Sequence, residues 1–272
     1  CAPARAHKAG RRGLGAVDAP APAATDGKAH PMYDSSYASV YDTVMIHRGK
    51  DYDAEAALIA GLVRERSPAA DSLLDTACGT GLHLRAFSGH FGRVAGLDGS
   101  DEMLELARAR VPGLRTWRSD LREVALDTRF DVITCMFAVP HLESEEELVS
   151  VVQGLVHHLN PGGVLVVEPW VGPEGFTPGH VSRDLVEDGG RTVVRLSHST
   201  RVTGRHDRMR MVVHYAVADP EEGLSHATDG WEMSLFTPEQ YAAAFEKAGC
   251  TAEHLRIEPF AHGLWVAVRA DG

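Results

Sequence analysis

The sequence SLLDTACGTGLHL at residues 72–84, followed by VAGLD at 94–98, decides the fold. An apolar run ends in an acid, passes through a turn of small residues and opens into a helix. That order is typical of the first strand and ligand loop of a doubly wound α/β sheet. The second apolar run ends in Asp98, about 20 residues after Gly79, where such folds place a carboxylate that binds ribose. The pattern therefore predicts a nucleoside-binding site.

The loop lacks the signature of a dinucleotide site. The fingerprint G-x-G-x-x-G/A needs a third small residue, but Gly81 is followed by Leu82, His83 and Leu84. The carboxylate of Asp75 would also repel a pyrophosphate, whereas it would attract a cationic sulfonium and an ammonium group. A zwitterionic nucleoside therefore fits better than NAD, and an NAD oxidoreductase is disfavoured.

Apolar patterns around this loop alternate between the helical and the strand period. Helical stripes predict two helices before the loop, at residues 33–47 and 53–66. Further strands are predicted at 72–77, 93–98, 114–119, 130–137 and 163–169, and further helices at 82–89, 102–111 and 145–159. The sequence NPGG at 160–163 predicts a turn before the fifth strand. Such alternation predicts a Rossmann-like, doubly wound, mostly parallel sheet covered on both faces.

The pattern then changes to strict alternation at residues 191–199, 209–218 and 232–236, which predicts antiparallel strands with one face covered. This block would form an inserted β lid over the strand ends, where α/β sheets bind ligands. We expect four segments: a disordered leader rich in Ala, Pro and Gly at 1–31, a core with N-terminal helices at 32–170, a substrate lid at 171–236, and a C-terminal helix and strands completing the core at 237–272.

Composition limits the function classes. The 272 residues are 44% hydrophobic, enough for a full core, and their net charge of −11 argues against a nucleic-acid partner. We find no apolar run long enough to span a membrane. The four cysteines form no C-x-x-C pair, so neither a metal site nor a disulfide framework is expected, and a reducing cytoplasm is the predicted location.

The motif Asp75-x-Ala77-x-Gly79-x-Gly81 resembles the first motif of the class I S-adenosylmethionine-dependent methyltransferases. The resemblance is wider, covering residues 32 to 268, and points to the nucleotide-linked amino-sugar N,N-dimethyltransferases of the desosamine and mycaminose type. It rests on RGKDY (48–52), LDTACGTG (74–81), VVEPW (166–170), SHS (197–199), VAD (217–219) and GLWV (263–266). It implies S-adenosylmethionine as cofactor and methylation of the amine of a thymidine-diphosphate (dTDP) amino sugar in antibiotic biosynthesis.

The residues predicted to bind the cofactor lie at strand ends and in the loop: Tyr52, Asp75, Ala77, Gly79, Gly81, Asp98, Asp120, Leu121 and Met136. The glycines let the backbone approach the methionine part of the cofactor, and Asp98 would accept hydrogen bonds from ribose hydroxyls. The resemblance implies that Asp120 and Leu121 lie near the adenine, Met136 against the adenine or ribose, and Tyr52 near the cofactor carboxylate. The alternatives are a helix N-cap for Asp98 and core packing for Met136.

Methyl transfer requires alignment of the reacting atoms and an unprotonated amine. His141 follows the fourth predicted strand, and its imidazole could accept the ammonium proton. A capping or packing histidine is the alternative. His214, on a predicted lid strand, is a second candidate.

A nucleotide-linked substrate needs cations for its diphosphate and flat groups for its rings. The guanidinium groups of Arg48, Arg195, Arg201 and Arg210 could bind phosphate, and Trp170 could stack on the sugar or the base. Ordinary surface arginines and core packing are the alternatives.

Departures from the family pattern leave the acceptor open. Met45 replaces a tyrosine near the acceptor amine, Val171 and Gly172 follow Trp170 where a second aromatic is frequent, and EPFAH (258–262) replaces a Gly-Pro-Ser-Gly-Arg stretch. The alternative function is N- or O-methylation of another small secondary metabolite, and a non-catalytic cofactor-binding protein is a third reading. An exposed edge of the lid would allow a homodimer.

Overall fold

The computed structural model describes residues 35–270. The predicted leader at residues 1–31 lies outside the described residues. Six α-helices and eleven β-strands follow one another along the described chain. In order they are α1 Ser35–His47, α2 Tyr52–Arg66, β1 Ser72–Thr76, α3 Leu82–Phe87, β2 Arg93–Asp98, α4 Asp101–Arg110, β3 Arg115–Arg118, β4 Phe130–Met136, α5 Glu145–His157, β5 Leu159–Glu168, β6 His180–Asp188, β7 Arg191–Arg201, β8 Arg208–Asp219, β9 Gly223–Ser234, α6 Pro238–Lys247, β10 Cys250–Leu255 and β11 Leu264–Arg269.

Seven of these strands form one sheet, in the order β10-β11-β5-β4-β1-β2-β3. The neighbours among β1 to β5 pair in parallel, while β11 pairs antiparallel with both β5 and β10. The strand order reverses between β1 and β4, because the chain runs outward through β2 and β3 and returns on the other side of β1. A ligand crevice lies at the carboxyl ends of the strands at such a switch point. The predicted doubly wound sheet is confirmed.

Two apolar layers cover this sheet. One packs α5 and α6 on one face, with Leu148 and Phe245 fully buried, and the other packs α2, α3 and α4 on the opposite face around Ile59 and Phe87. All five residues of β1 are buried, as a central parallel strand covered on both faces requires. The loop after β1 therefore starts from a fully buried strand at the centre of the sheet.

The helices begin at polar residues that cap them. The side chains of Asp51, Ser100, Ser144 and Thr237 each accept a hydrogen bond from a backbone N–H in the first turn of α2, α4, α5 and α6. Ser100, rather than Asp98, is thus the N-cap of α4, and Asp98 is free for another role.

The second sheet is antiparallel, in the order β6-β7-β8-β9. Its inner face carries a cluster of valines and Tyr215 that packs against Val40 and Val44 of α1. One end of the sheet is tied to the loop after β4, because Ser234 Oγ donates to the Leu142 carbonyl at 2.6 Å and Arg208 Nη1 donates to the Glu143 carbonyl at 3.1 Å. The inserted sheet thereby contacts the segment that directly follows His141.

Some predicted boundaries were wrong. The predicted turn at 160–163 lies inside β5, which begins at Leu159 with a register irregularity opposite Phe130. The last strand of the second sheet begins at Gly223, nine residues before its predicted start, and the prediction missed β6 altogether. Both are edge strands with mostly exposed side chains, so the sequence shows no buried alternation there.

Between residues 35 and 270, no helix combines the length and the apolar character that crossing a membrane requires.

Candidate active site

The loop after β1 has the backbone shape of a ligand-binding turn. Ala77, Gly79 and Gly81 have positive φ values of 59°, 54° and 81°. For Ala77 this conformation is strained, and such strain clusters at ligand sites. A Cβ on Gly81 would lie 2.9 Å from the Cα of Ala107, so only glycine lets α3 and α4 pack this closely. The predicted glycine turn is therefore present, and it opens into α3.

Asp98 is fixed by the loop itself. Its Oδ2 accepts from the Gly79 N–H at 2.8 Å and its Oδ1 accepts from the Ser100 N–H at 2.9 Å. Burial raises the pKa of Asp98 although these backbone bonds act to lower it. The carboxylate thus stands beside the glycine turn, and each oxygen keeps a lone pair that could accept a ribose hydroxyl.

Asp75 lies at the end of β1, inside the fold. Its Oδ1 accepts from Thr134 Oγ1 at 2.6 Å. Burial raises its pKa to about 6, despite the opposing effects of His83 and the Thr134 bond. A carboxyl held in this way favours a cationic ligand group, because a nearby positive charge would offset its desolvation.

Sequence reasoning missed a contact that ties α1 to the cofactor loop. Asp42 accepts from the Thr80 hydroxyl at 2.7 Å and forms an ion pair with Arg110 of α4 at 2.8 Å. These partners lie on three different elements, so no local motif could have revealed them. This hydrogen bond and ion pair hold α1 beside the glycine turn.

The other predicted cofactor residues divide into two groups. Tyr52 and Met136 are buried in one apolar cluster that also includes Cys78 of the loop. Asp120, by contrast, is exposed and paired with Arg122 at 3.3 Å, while Leu121 beside it is half-buried. The structure brings the first group together with the loop; the adenine contacts of Asp120 and Leu121 stay a prediction.

His141 ends a short 3-10 helix, Val139–His141, after β4. Its carbonyl accepts from Arg122 Nη2 at 2.9 Å. Burial, and then the charge of Arg122, lowers the pKa of His141 to about 4. The imidazole is therefore neutral near pH 7 and can accept a hydrogen bond, but it holds a proton weakly.

The four predicted phosphate-binding arginines do not converge on one binding site, and two of them are paired with the same carboxylate. Arg48 forms a two-pronged ion pair with Asp184 of β6, at 3.0 Å through Nε and 2.7 Å through Nη2. Arg195 is buried and bonds to the same carboxylate at 3.4 Å and to Ser197 at 3.2 Å. Both cations are thus held by Asp184, between α1 and the second sheet.

The remaining substrate candidates lie on two faces of the second sheet. Arg201 shares the inner face of β7 with Arg195; its guanidinium donates to the carbonyls of Pro173 and His206 and lies 5.2 Å from the Phe176 ring. The residues of β8 paired with the outer positions of β7 include Arg210, opposite Thr200, and His214, opposite Leu196. His214 bonds to Thr228 at 2.6 Å on that outer face. Arg210 and His214 therefore point away from Arg195 and Arg201.

An aromatic and charged group at the end of β5 was not predicted as a unit. Trp170 lies 5.1 Å from the Phe137 ring and 5.7 Å from the His262 ring, and its Nε1 is buried without a hydrogen-bond partner. Next to it lie three buried ionisable residues, Glu55, His83 and Glu168, and the half-buried Lys50. An acid that ends the apolar run VLVV of β5 was the available sequence signal.

The site combines a glycine turn, a fixed carboxylate on the second strand and a buried carboxyl on the first. This donor set suits a nucleoside that carries hydroxyls and positive charge, which is the chemistry of S-adenosylmethionine. No group of three or more His, Cys, Asp or Glu that could hold a metal occurs within residues 35–270. Fold and site together define a class I S-adenosylmethionine-dependent methyltransferase.

Comparison of this chain with known proteins supports its assignment to this class. A family model described as a methyltransferase domain matches residues 73–163. The dTDP-3-amino-3,4,6-trideoxy-alpha-D-glucopyranose N,N-dimethyltransferase of Streptomyces venezuelae is 47% identical over 240 residues, covering 88% of this chain and all of that one. The dTDP-3-amino-3,6-dideoxy-alpha-D-glucopyranose N,N-dimethyltransferase of Streptomyces fradiae is 45% identical, covering 87% of this chain and 92% of the relative.

Solved structures show the same relationship. The crystal structure of Streptomyces venezuelae DesVI matches with a TM-score of 0.82 and 47% identity, over 88% of this chain and 100% of that chain. CalS10 from Micromonospora echinaspora, described as an amino pentose methyltransferase with bound S-adenosylmethionine, matches with a TM-score of 0.76 and 40% identity, over 89% and 100%. The chain belongs to the family of S-adenosylmethionine-dependent amino-sugar N-methyltransferases.

Proposed function

We propose that this enzyme methylates the amine of a dTDP-linked amino sugar in the biosynthesis of an antibiotic or related natural product. The observation that carries the proposal is the similarity to three relatives named as dTDP-amino-sugar N,N-dimethyltransferases, at 43% to 47% identity over 87% to 88% of this chain. The same residues fold into the site described above. The cofactor supplies an activated methyl group on a sulfonium.

The chain's own residues hold the reactants. In our proposal, Gly79, Gly81 and Asp98 bind the methionine backbone and ribose, and Asp75 faces the positive charge of the cofactor. Tyr52 and Met136 supply apolar contact, and their cluster excludes water from the methyl group. Much of the rate enhancement then comes from alignment rather than from acid–base chemistry.

His141 is proposed to orient the acceptor amine. A neutral imidazole can accept a hydrogen bond from the amine N–H and direct the nitrogen lone pair at the methyl carbon. Its lowered pKa supports this role, because the ring stays unprotonated throughout the working range of pH.

Arg201 is the best-supported phosphate ligand. Its guanidinium binds two backbone carbonyls and forms no ion pair with a carboxylate among residues 35–270, so a phosphate would not have to compete with a protein carboxylate for it. Arg48 and Arg195 are already paired with Asp184. A diphosphate could bind them only in competition with that carboxylate. Trp170, with its unpartnered indole N–H, is proposed to contact the sugar or the base.

One observation favours a changed acceptor. His262 stands where the resemblance implies an arginine, its ring contacts Trp170, and burial lowers its pKa. A neutral ring in place of a guanidinium weakens the case for a phosphate contact at this position. The second candidate function is therefore methylation of another small amine or hydroxyl without the nucleotide.

The deciding assay measures S-adenosylhomocysteine formation with dTDP-amino sugars and with the same sugars lacking the nucleotide. We expect turnover of the nucleotide-linked sugar and competitive inhibition by dTDP. Turnover of the free sugar with no inhibition by dTDP would support the second candidate and refute the first.

We also propose that the protein forms a homodimer. Five exposed large apolar side chains share the outer face of the second sheet: Val181, Leu185, Leu196, Val212 and Leu224. An apolar patch of this kind on a sheet face supports association with a second copy. A cytoplasmic location stays a prediction, supported by the free thiols of Cys78, Cys135 and Cys250.

The test of the dimer is Leu185→Lys, with Leu106→Lys on α4 as the matched exposed control. Light scattering should show dimers for the wild type and the control and monomers for Leu185→Lys. A wild-type monomer, or a Leu185→Lys dimer of unchanged affinity, contradicts the proposal.

A further inference from the structure

A buried charge cluster lies where β5 ends. Lys50 Nζ is 3.0 Å from Glu55 Oε2 and 3.6 Å from Glu168 Oε2. Glu55 Oε2 also accepts a hydrogen bond from His83 Nε2 at 2.7 Å. The cluster holds two carboxylates, one ammonium and one imidazole. Glu55 is well partnered: burial acts to raise its pKa, but the bonds from His83 and Lys50 bring it below the usual value.

Glu168 is not satisfied in this way. Its Oε2 is buried and forms an ion pair with Lys50 Nζ at 3.6 Å, but no hydrogen bond reaches this oxygen. The residue is 5% exposed. A buried carboxylate oxygen without a hydrogen bond costs free energy, and a native fold tolerates that cost where the atom serves a function.

The position of Glu168 is next to the cofactor residues. It pairs in register with Met136 on the adjacent parallel strand. Phe137 follows Met136 with a φ of 61°, a strained conformation for a bulky residue, and its ring contacts Trp170 two residues beyond Glu168. This carboxylate oxygen therefore lies at the carboxyl end of the switch-point strands.

Aromatic rings surround the cation at this site. The rings of Phe137, Tyr52 and Phe260 lie 5.1, 5.8 and 6.0 Å from Lys50 Nζ, within the range of cation–π attraction. Lys50 thus shows that this pocket holds an ammonium group between aromatic faces and carboxylates. An acceptor amine, which enters largely as an ammonium, presents the same chemistry.

We propose that Glu168 is a catalytic residue that binds the acceptor ammonium through Oε2, the oxygen without a hydrogen bond, and removes one proton from it. This inference deepens the proposed function and rests on it, because it requires an amine acceptor. Trp170 and Phe137 form the wall beside the bound nitrogen.

The step balances without a further reactant. The ammonium N–H bond breaks, its electron pair stays on nitrogen as the lone pair, and the proton forms an O–H bond with the carboxylate. The products are a neutral amine and a neutral carboxylic acid. The proton returns to solvent when the product leaves and the site opens.

Glu168 is better suited than His141 to accept this proton, because the two pKa values differ. Burial raises the pKa of Glu168 to about 8; the nearby Lys50 lowers it and Glu55 raises it. A proton acceptor works best when its pKa is near the working pH, and His141 is a far weaker base. The groups facing Glu168 are Lys50 and Glu55, with Tyr52 beside them and His83 acting through Glu55.

The test compares Glu168→Gln with the exposed control Glu105→Gln across the pH range. For the wild type, kcat/KM should follow a bell, rising as Glu168 ionises and falling as the substrate ammonium is lost. In Glu168→Gln only the neutral amine can react, so the falling limb should disappear, and kcat near neutral pH should drop about 100-fold. Glu168→Asp should restore the bell with a lower maximum.

Binding of S-adenosylhomocysteine should not change, since an amide replaces a carboxyl of the same shape, and a cooperative melting transition checks that the variant is folded. Should Glu168→Gln fail to fold, Lys50→Met gives the second test, because loss of that cation should move the rising limb to higher pH. If the wild type is active and Glu168→Gln is equally active with a bell-shaped pH profile, the role of Glu168 is overturned and the proposed function is not. A wild type that turns over no amine overturns the proposed function as well.

Discussion

Replacing Asp75 by asparagine should make the stability of this protein less sensitive to pH. On folding, burial raises the pKa of Asp75 from 3.8 to about 6. Between pH 3.8 and about 6, Asp75 keeps its proton in the folded protein but has lost it in the unfolded chain. The contribution of Asp75 to the free energy of unfolding therefore falls as the pH rises through about 6.

The size of the effect follows from that shift. Linkage predicts that the wild type loses about 1.4 kcal/mol through Asp75 between about pH 5 and about pH 7.5. The amide of Asp75→Asn carries no charge at either pH and can still accept the hydrogen bond from Thr134. The stability of the variant relative to the wild type should therefore rise by about 1.4 kcal/mol across this interval.

Urea unfolding at both pH values measures this difference directly. Asp127→Asn, at an exposed carboxylate paired with Arg115, is the matched control and should show no such trend. With S-adenosylhomocysteine present, Asp75→Asn should gain less stability than the wild type, because the ammonium of the ligand loses its counter-charge. A difference that stays constant or shrinks with rising pH would refute the argument.

Two further substitutions test the site. Asp98→Ala removes the acceptor of the Gly79 and Ser100 N–H groups and should weaken S-adenosylhomocysteine binding by about 2 kcal/mol in calorimetry; unchanged affinity would reject its role in ribose binding. His141→Asn should lower kcat by a similar factor at every pH between about 6 and 9, because the imidazole is neutral throughout, and a loss confined to part of that range would contradict an orienting role.

Much of the local geometry of the candidate site could be predicted from the sequence because it depends on contiguous residues. The apolar run before Asp75, the small residues of the loop and the second run ending in Asp98 each specify a strand end or a turn. In a doubly wound sheet these strand ends meet at one edge. The hydrogen bond between Gly79 and Asp98 follows from that topology.

The substrate site could not be predicted in the same way. Whether an arginine on β7 or β8 faces the core depends on strand register, and a shift of one residue reverses the face. Arg210, in a block that matches the family, and His214, a candidate from its place on a predicted lid strand, both lie on the outer face. Arg48 is held by Asp184, 136 residues away, and no local pattern encodes such a pair.

The sequence by itself determined the fold class, the glycine turn after β1 and the enzyme family, because backbone propensity, hydrophobic period and short motifs act over neighbouring residues. Only the tertiary structure decided which charged side chains meet and which of their atoms lack a hydrogen bond. Glu168 ends β5 and Lys50 lies in the segment between α1 and α2, so their ion pair forms only when that segment packs against the end of β5. The free energy of a buried charge is set by all of its neighbours in space, so the chemistry of this pocket becomes visible only once the chain is folded.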